Sequence, residues 1–177
     1  MKPIRTMTQA ELGAYLQSHL DAQGIDVVLS GGAVVAIYTS GKYVSRDLDL
    51  VNRYAATRKD IRRAMEELGF REVGRRFEHA ETEFFVEFPP GPLSIGEKHI
   101  IKIEQLHLDT GILRLISPTD CVKDRLAWYY HYGDKQCLEQ AIMVAKDQQV
   151  DVQEIRNWSE SEGKLEEFEA IRANLGG

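Results

Sequence analysis

The sequence predicts a mixed α/β fold: a small mixed sheet flanked by helices, with a C-terminal helical extension. Three observations predict it. A short apolar strand at residues 25–29 and an alternating strand at 45–51 are interleaved with helical patterns in the first part of the chain. The middle is strand-rich, with extended stretches at 83–88, 99–104 and 112–116. From Thr119 onward the apolar residues recur at helical spacing. A chain of 177 residues that is 43% hydrophobic can bury a core without disulfides or a structural metal. The expected division is a core over 1–118 and a helical extension over 119–177 packed on it.

Each element has a local signal. Thr8-Gln9-Ala10-Glu11 is a capping box, Leu12, Leu16 and Leu20 follow at helical spacing, and Gly24 stops the helix. The strand at 25–29 ends in Ser30-Gly31-Gly32, and residues 33–38 suit a buried helix closed by Gly41. After the second strand, Thr57 opens a helix through Ile61, Met65 and Leu68 to Gly69. Gly91-Pro92 breaks the extended middle. Leu138, Ala141, Ile142 and Ala145 line one helix face. Val152, Ile155 and Trp158, then Leu165, Phe168 and Ile171, make a final helical pair.

Several classes drop out. No apolar run approaches the roughly 20 residues of a membrane span, and the polar start is not a signal peptide. Two cysteines, Cys121 and Cys137, suit reduced thiols in a cytoplasmic protein rather than a disulfide framework. A net charge of −6 argues against a general binder of the phosphate backbone. An acidic protein that handles nucleotides does so more plausibly through metal ions. The five histidines show no zinc-ligand spacing, and neither a Gly-x-Ser-x-Gly elbow nor a Walker loop is present.

The chemistry concentrates in two short stretches. Leu29-Ser30-Gly31-Gly32 runs a strand into paired glycines at a helix start, where bare backbone approaches a phosphate closely. Ordinary turns use the same pair. In Asp47-Leu48-Asp49-Leu50, strand alternation puts both carboxylates on one face and both leucines on the other. Like charges about 7 Å apart repel unless a cation joins them, and magnesium takes such oxygen ligands together with substrate phosphates. A surface strand with solvated aspartates is the plainer alternative. In 83–88, Phe84, Val86 and Phe88 share one face, which leaves Glu87, and less centrally Glu83, on the other.

Together these residues resemble the nucleotidyltransferase superfamily, whose fold is that of DNA polymerase β. The family pattern is an apolar strand, Gly-Gly or Gly-Ser, a helix, Asp-apolar-Asp-apolar, and a third acid on a later strand. Here it reads Leu29-Ser30-Gly31-Gly32, Asp47-Leu48-Asp49-Leu50 and Glu87, and it covers roughly residues 25–90. The nearest branch is the minimal, AbiEii-toxin-like one, where a serine stands two places before the first aspartate, as Ser45 does. The stretch from Ala33 to Arg46 is longer than usual, and Tyr43, near Lys42 and Arg46, stands where relatives often carry arginine.

The resemblance implies that Asp47, Asp49 and Glu87 are catalytic and hold magnesium, or manganese, with Glu87 also a general base. It implies that Ser30, Gly31, Gly32, Ser45, Arg46 and Lys123 bind the nucleoside triphosphate. Lys123 matches a lysine that AbiEii-like relatives carry on a comparable helix, with Arg125 as its neighbour and Asp134-Lys135 a basic–acidic pair in reversed order. The acceptor is a hydroxyl of RNA, protein or a small molecule such as an aminoglycoside. The branch allows a toxin with an antitoxin partner.

Two other readings compete. Asp47-Leu48-Asp49-Leu50-Val51 fits the signature of haloacid-dehalogenase-type phosphatases, but those need the first aspartate at the end of a strongly apolar strand, and residues 42–46 are polar. A non-catalytic nucleotide-binding or scaffold module is the other, and the intact acidic trio argues against it. Thr119 is the expected cap of the helix that follows, and its Trp128, Tyr129, Tyr130 and Tyr132 are expected to pack between helices rather than to stack bases. Arg71, Arg75 and Arg76 are expected to form a solvated basic face.

Overall fold

The computed structural model describes residues 2–54, 56–100 and 102–176. After a 3-10 turn, α1 (Gln9–Ala22) opens on the predicted capping box, with Thr8 and Glu11 each bonded to the other's backbone. There follow β1 (Val27–Ser30), α2 (Gly32–Tyr38), β2 (Asp47–Asn52) and α3 (Arg58–Glu67), the last capped by Thr57. The strand-rich middle is β3 (Arg71–Val73), β4 (Arg76–Glu78), β5 (Phe85–Glu87), β6 (Ser94–Ile95), β7 (Lys98–His99), β8 (Ile103–Leu108) and β9 (Gly111–Ile116). The helices α4 (Pro118–Tyr132), α5 (Lys135–Asp147), α6 (Val152–Ser161) and α7 (Leu165–Ile171) complete the chain.

Seven strands form one sheet in the order β3-β4-β5-β2-β1-β9-β8, while β6 and β7 make a separate hairpin. The β2–β5 and β1–β9 pairs are parallel and the rest antiparallel, so the sheet is mixed. Leu48, Leu50, Val86 and Phe77 are fully buried and turn the same face toward α1, whose Gly13 lies against Leu48 and Leu113. Among the described residues, no helix is long and apolar enough to cross a membrane.

The structure departs from the sequence reading in four places. The β3–β4 hairpin has no counterpart in the sequence reading, because its strands are only three residues long; the basic face expected there stands, with Arg71 and Arg75 exposed. The expected strand at 99–104 divides, because Lys98–His99 pairs with Ser94–Ile95 while Ile103 starts the edge strand; Ile101 within it lies outside the described residues. Ser117, not Thr119, caps α4 and accepts from the Asp120 amide at 3.1 Å, since Pro118 suits the first helical position. The aromatic run splits as well: Tyr130 is buried against Trp158, whereas Trp128 and Tyr132 are exposed.

One interior contact completes the sheet. Between β1 and β9 only Leu29 and Leu115 are paired. The fully buried Gln17 of α1 accepts from the Arg114 amide at 2.7 Å and donates to the Arg114 carbonyl at 2.8 Å. Gln17→Ala therefore strands two backbone groups and is expected to destabilise the fold by about 2–4 kcal/mol. Urea unfolding measures it, and Gln17→Glu, which buries a carboxylate against the Arg114 carbonyl, should be at least as destabilising.

Candidate active site

Strand register assembles the site. Ser30 stands opposite Asp49 in the β1–β2 pair, and Asp49 lies beside Glu87 and Asp47 beside Phe85 in the β2–β5 pair. Arg76 of β4 stands opposite Glu87. Residues opposite each other share a face, so Ser30, Asp49, Glu87 and Arg76 form one row across neighbouring strands about 4.8 Å apart. Asp47 and Phe85 lie in the next row. The face is fixed by what lies beneath: burying Leu48, Leu50 and Val86 leaves the acids no other side.

Backbone contacts fix the start of β2. The Gln9 amide donates to the carbonyls of Ser45 and Asp47, both at 3.0 Å, and Ser45 Oγ accepts from the Asp47 amide at 3.3 Å. Gly31 has a φ of 73°, and a Cβ there would lie 2.3 Å from Asp49 Oδ2. Glycine is thus required both by the backbone conformation and by the carboxylate that occupies the space. A Cβ on Gly32 would meet Ser45 Oγ at 3.2 Å, which places Ser45 beside the glycine pair.

Electrostatics single out Asp49. Burial, then the neighbouring charges of Asp47 and Glu87, push its pKa from 3.8 up to about 6, against the pull of Arg125. Arg125 comes from α4 and is the cation the sequence reading ranked behind Lys123. Its side chain is 12% exposed and is gripped by Asp124, with Gln140 Oε1 at 3.4 Å.

The other expected binding cations form ion pairs of their own. Lys123, two residues from Arg125, projects about 200° around the helix and is buried between Asp120, at 3.2 Å, and Glu154. It lines a cavity of about 390 Å³ with Ile95, His99 and Trp158. Arg46 is exposed and faces Glu83 at 3.4 Å. Arg76, whose side chain is 43% exposed and paired with Glu78, lies 4.3 Å over the Phe85 ring beside Glu87. Only the unrecognised hairpin brings it there.

The donor set suits magnesium. Among the described residues no group of three or more His, Cys, Asp or Glu side chains is arranged to hold a metal by itself. Magnesium needs no such cage, because it binds through one or two carboxylates and takes its remaining ligands from water and substrate phosphates. A carboxylate held beside two others, its ionisation already resisted, is the environment that a shared divalent cation relieves. The phosphatase arrangement is absent, since β2 begins at Asp47 and the first aspartate opens its strand instead of ending it.

Solved structures share this architecture. An antigenic nucleotidyltransferase-like protein from Paracoccidioides brasiliensis matches with a TM-score of 0.63, over 95% of this chain and 92% of its own, at 13% identity. The fold is that of a nucleotidyltransferase. The antibiotic-resistance factor ANT(2'')-Ia is similar in its solution structure, with a TM-score of 0.53 and 13% identity over 92% of this chain and 91% of its own. Its crystal structure in complex with adenylyl-2''-tobramycin matches at 0.50 and 16% identity, over 96% and 97%. No family model and no curated protein matches the sequence.

The raised pKa of Asp49 has a stability consequence. With the folded value near 6 and the unfolded value near 3.8, the folded protein binds more protons between them, so the Asp49 contribution falls as pH rises through that window. In metal-free, chelator-treated buffer, Asp49→Asn is expected to be more stable than the parent by up to about 3 kcal/mol above pH 6.5. The difference should shrink toward pH 4, and urea midpoints at the two pH values measure it.

Proposed function

We propose that the protein is a magnesium-dependent nucleotidyltransferase that moves a nucleotide from a nucleoside triphosphate, ATP among them, to a hydroxyl of a small-molecule acceptor. The observation that carries this reading is the row of Ser30, Asp49 and Glu87, with Asp47 alongside, on a nucleotidyltransferase fold. Asp47, Asp49 and Glu87 would hold magnesium, or manganese in its place. Bound there, the metal would neutralise the triphosphate and favour ionisation of the attacking hydroxyl.

The chain's own residues do the rest. Gly31 makes room for the Asp49 carboxylate, so the glycine turn and the acids face one another and a metal-bound phosphate would approach between them. Ser30, Gly31, Gly32 and Ser45 line that approach, and Arg125 supplies a fixed positive charge from α4. The acceptor oxygen bonds to the α-phosphorus, the bond to the β-phosphate oxygen breaks, and pyrophosphate departs. Glu87, at the end of β5, takes the hydroxyl proton. Arg46 is paired with Glu83 and Lys123 with Asp120 and Glu154, as Arg125 is with Asp124, and Arg125 is preferred because its charge acts on Asp49.

A small-molecule acceptor is favoured because ANT(2'')-Ia, similar over nearly its whole length, holds adenylyl-2''-tobramycin. The toxin-type reading, with a macromolecular acceptor and an antitoxin partner, draws only on the resemblance at Ser45 and Lys123. A cytoplasmic setting suits two free, buried cysteines.

The test is label transfer from each α-labelled nucleoside triphosphate, with magnesium or manganese, to aminoglycosides, other polyhydroxylated small molecules, total RNA and a cell lysate. Label should enter the small-molecule fraction with release of pyrophosphate and fall to background in Asp49→Asn. Transfer that survives this substitution, or none with any acceptor, defeats the proposal.

A further inference from the structure

We propose that the acceptor sits in the cavity beside Glu87 and is a small hydroxylated molecule carrying an anionic group, which Arg58 and Arg75 bind. This rests on the nucleotidyl-transfer reading of the acid row and adds the chemical class of the acceptor.

The cavity has a volume of about 450 Å³ and is lined by Arg58, Glu72, Arg75, Glu87, Pro89 and Pro90. Glu87 thus belongs to the acid row and to the cavity wall at once. The hairpin adds another part of the wall: Arg75 directly precedes Arg76, which stands opposite Glu87 in the β4–β5 pair. The size suits a small molecule.

Strand order says which substrate belongs here. β2, with Asp49, runs between β1, which leads into the glycine turn, and β5, which ends at Glu87. In an in-line displacement the attacking oxygen and the departing pyrophosphate lie on opposite sides of the α-phosphorus. With the phosphates at the glycine turn, on the β1 side, the acceptor lies on the β5 side. The cavity is on that side, and a hydroxyl within it has Glu87 as a neighbour to take its proton.

Charge identifies the class. Residues 58–76, from the start of α3 to the start of β4, hold seven Lys and Arg against four Asp and Glu, although the whole chain holds 22 against 28. Arg58 and Arg62 share one carboxylate, Glu72, so positive charge is left over. Arg75 is exposed, and among the described residues no acid lies within ion-pair distance of it. Arg58 is held in place: its guanidinium lies 4.7 Å over the buried Phe77 ring and donates to Glu72 Oε1 at 2.8 Å and to the Arg75 carbonyl at 3.0 Å. A guanidinium so fixed keeps donors for a phosphate or a carboxylate. In a protein of net charge −6, a positive recess at this one place attracts an anion and repels a polyamine.

Four compounds built on one hexose ring separate charge from shape: glucose, glucosamine, glucose 6-phosphate and glucuronate. We would measure magnesium-dependent label transfer from α-labelled ATP to each, by the parent, Arg75→Glu and Arg58→Gln, and magnesium–ATP affinity by calorimetry. In the parent, transfer to glucose 6-phosphate or to glucuronate should be more efficient than transfer to glucose by about tenfold or more, with glucosamine lowest. The two anions tell phosphate from carboxylate recognition. Arg75→Glu, a change on an exposed turn, should raise the KM for the preferred anion about tenfold or more. It should leave the KM for glucose within about threefold and magnesium–ATP affinity unchanged. Arg58→Gln, which keeps a donor and loses the charge, should act in the same direction. Equal transfer to all four compounds, a preference for glucosamine, no label in either anion, or a matching loss of magnesium–ATP binding in Arg75→Glu overturns the assignment. Failure of the parent to bind magnesium–ATP instead overturns the nucleotidyl-transfer reading beneath it.

Discussion

Asp49 is held where a carboxylate is least comfortable, and the neighbouring structure is arranged around that fact. It is largely buried, with Asp47 and Glu87 for company, and its pKa is driven upward by both circumstances. Nothing in packing alone calls for three acids on one patch of sheet. The leucines beneath fix which side the acids occupy, Gly31 gives up a side chain to make room, and Gln9 and Ser45 fix the strand's first residues. Sites that keep a destabilising group in place against the interest of the fold are where binding free energy is recovered when a ligand arrives.

The sheet order is what makes the patch possible. Placing β2 between β1 and β5 brings together residues from three separated parts of the chain: the glycine turn, the aspartate strand and the short strand carrying Glu87. The C-terminal helices add what the sheet lacks. One face of α4 carries Arg125, held by Asp124, whose charge acts on Asp49, and the opposite side buries Lys123 in an ion-pair network with α6. A single helix thus contributes a cation to the site and a structural cation to the interior.

Much of this was legible in the sequence, for local reasons. The alternation in Asp47-Leu48-Asp49-Leu50 reveals the acid face because the strand period is two and the leucines have one place to go. Thr8 and Thr57 announce their helices by capping chemistry that depends only on near neighbours. The burial of Lys123 between Asp120 and Glu154 was not legible, because it depends on how α4 packs against α6, which is a tertiary matter. Arg76 was hidden for a related reason: its strand is short and polar, and only pairing with β5 sets it opposite Glu87.

The central claim is that the acid row exists to share a divalent cation with a triphosphate. The most direct measurement is the melting temperature of the parent and of Asp49→Asn as magnesium is titrated beside a non-hydrolysable nucleoside triphosphate analogue. A ligand bound only by the folded state raises the parent's midpoint in proportion to its occupancy. The account predicts a magnesium-dependent rise in the parent and almost none in Asp49→Asn. Equal rises in both proteins would contradict it.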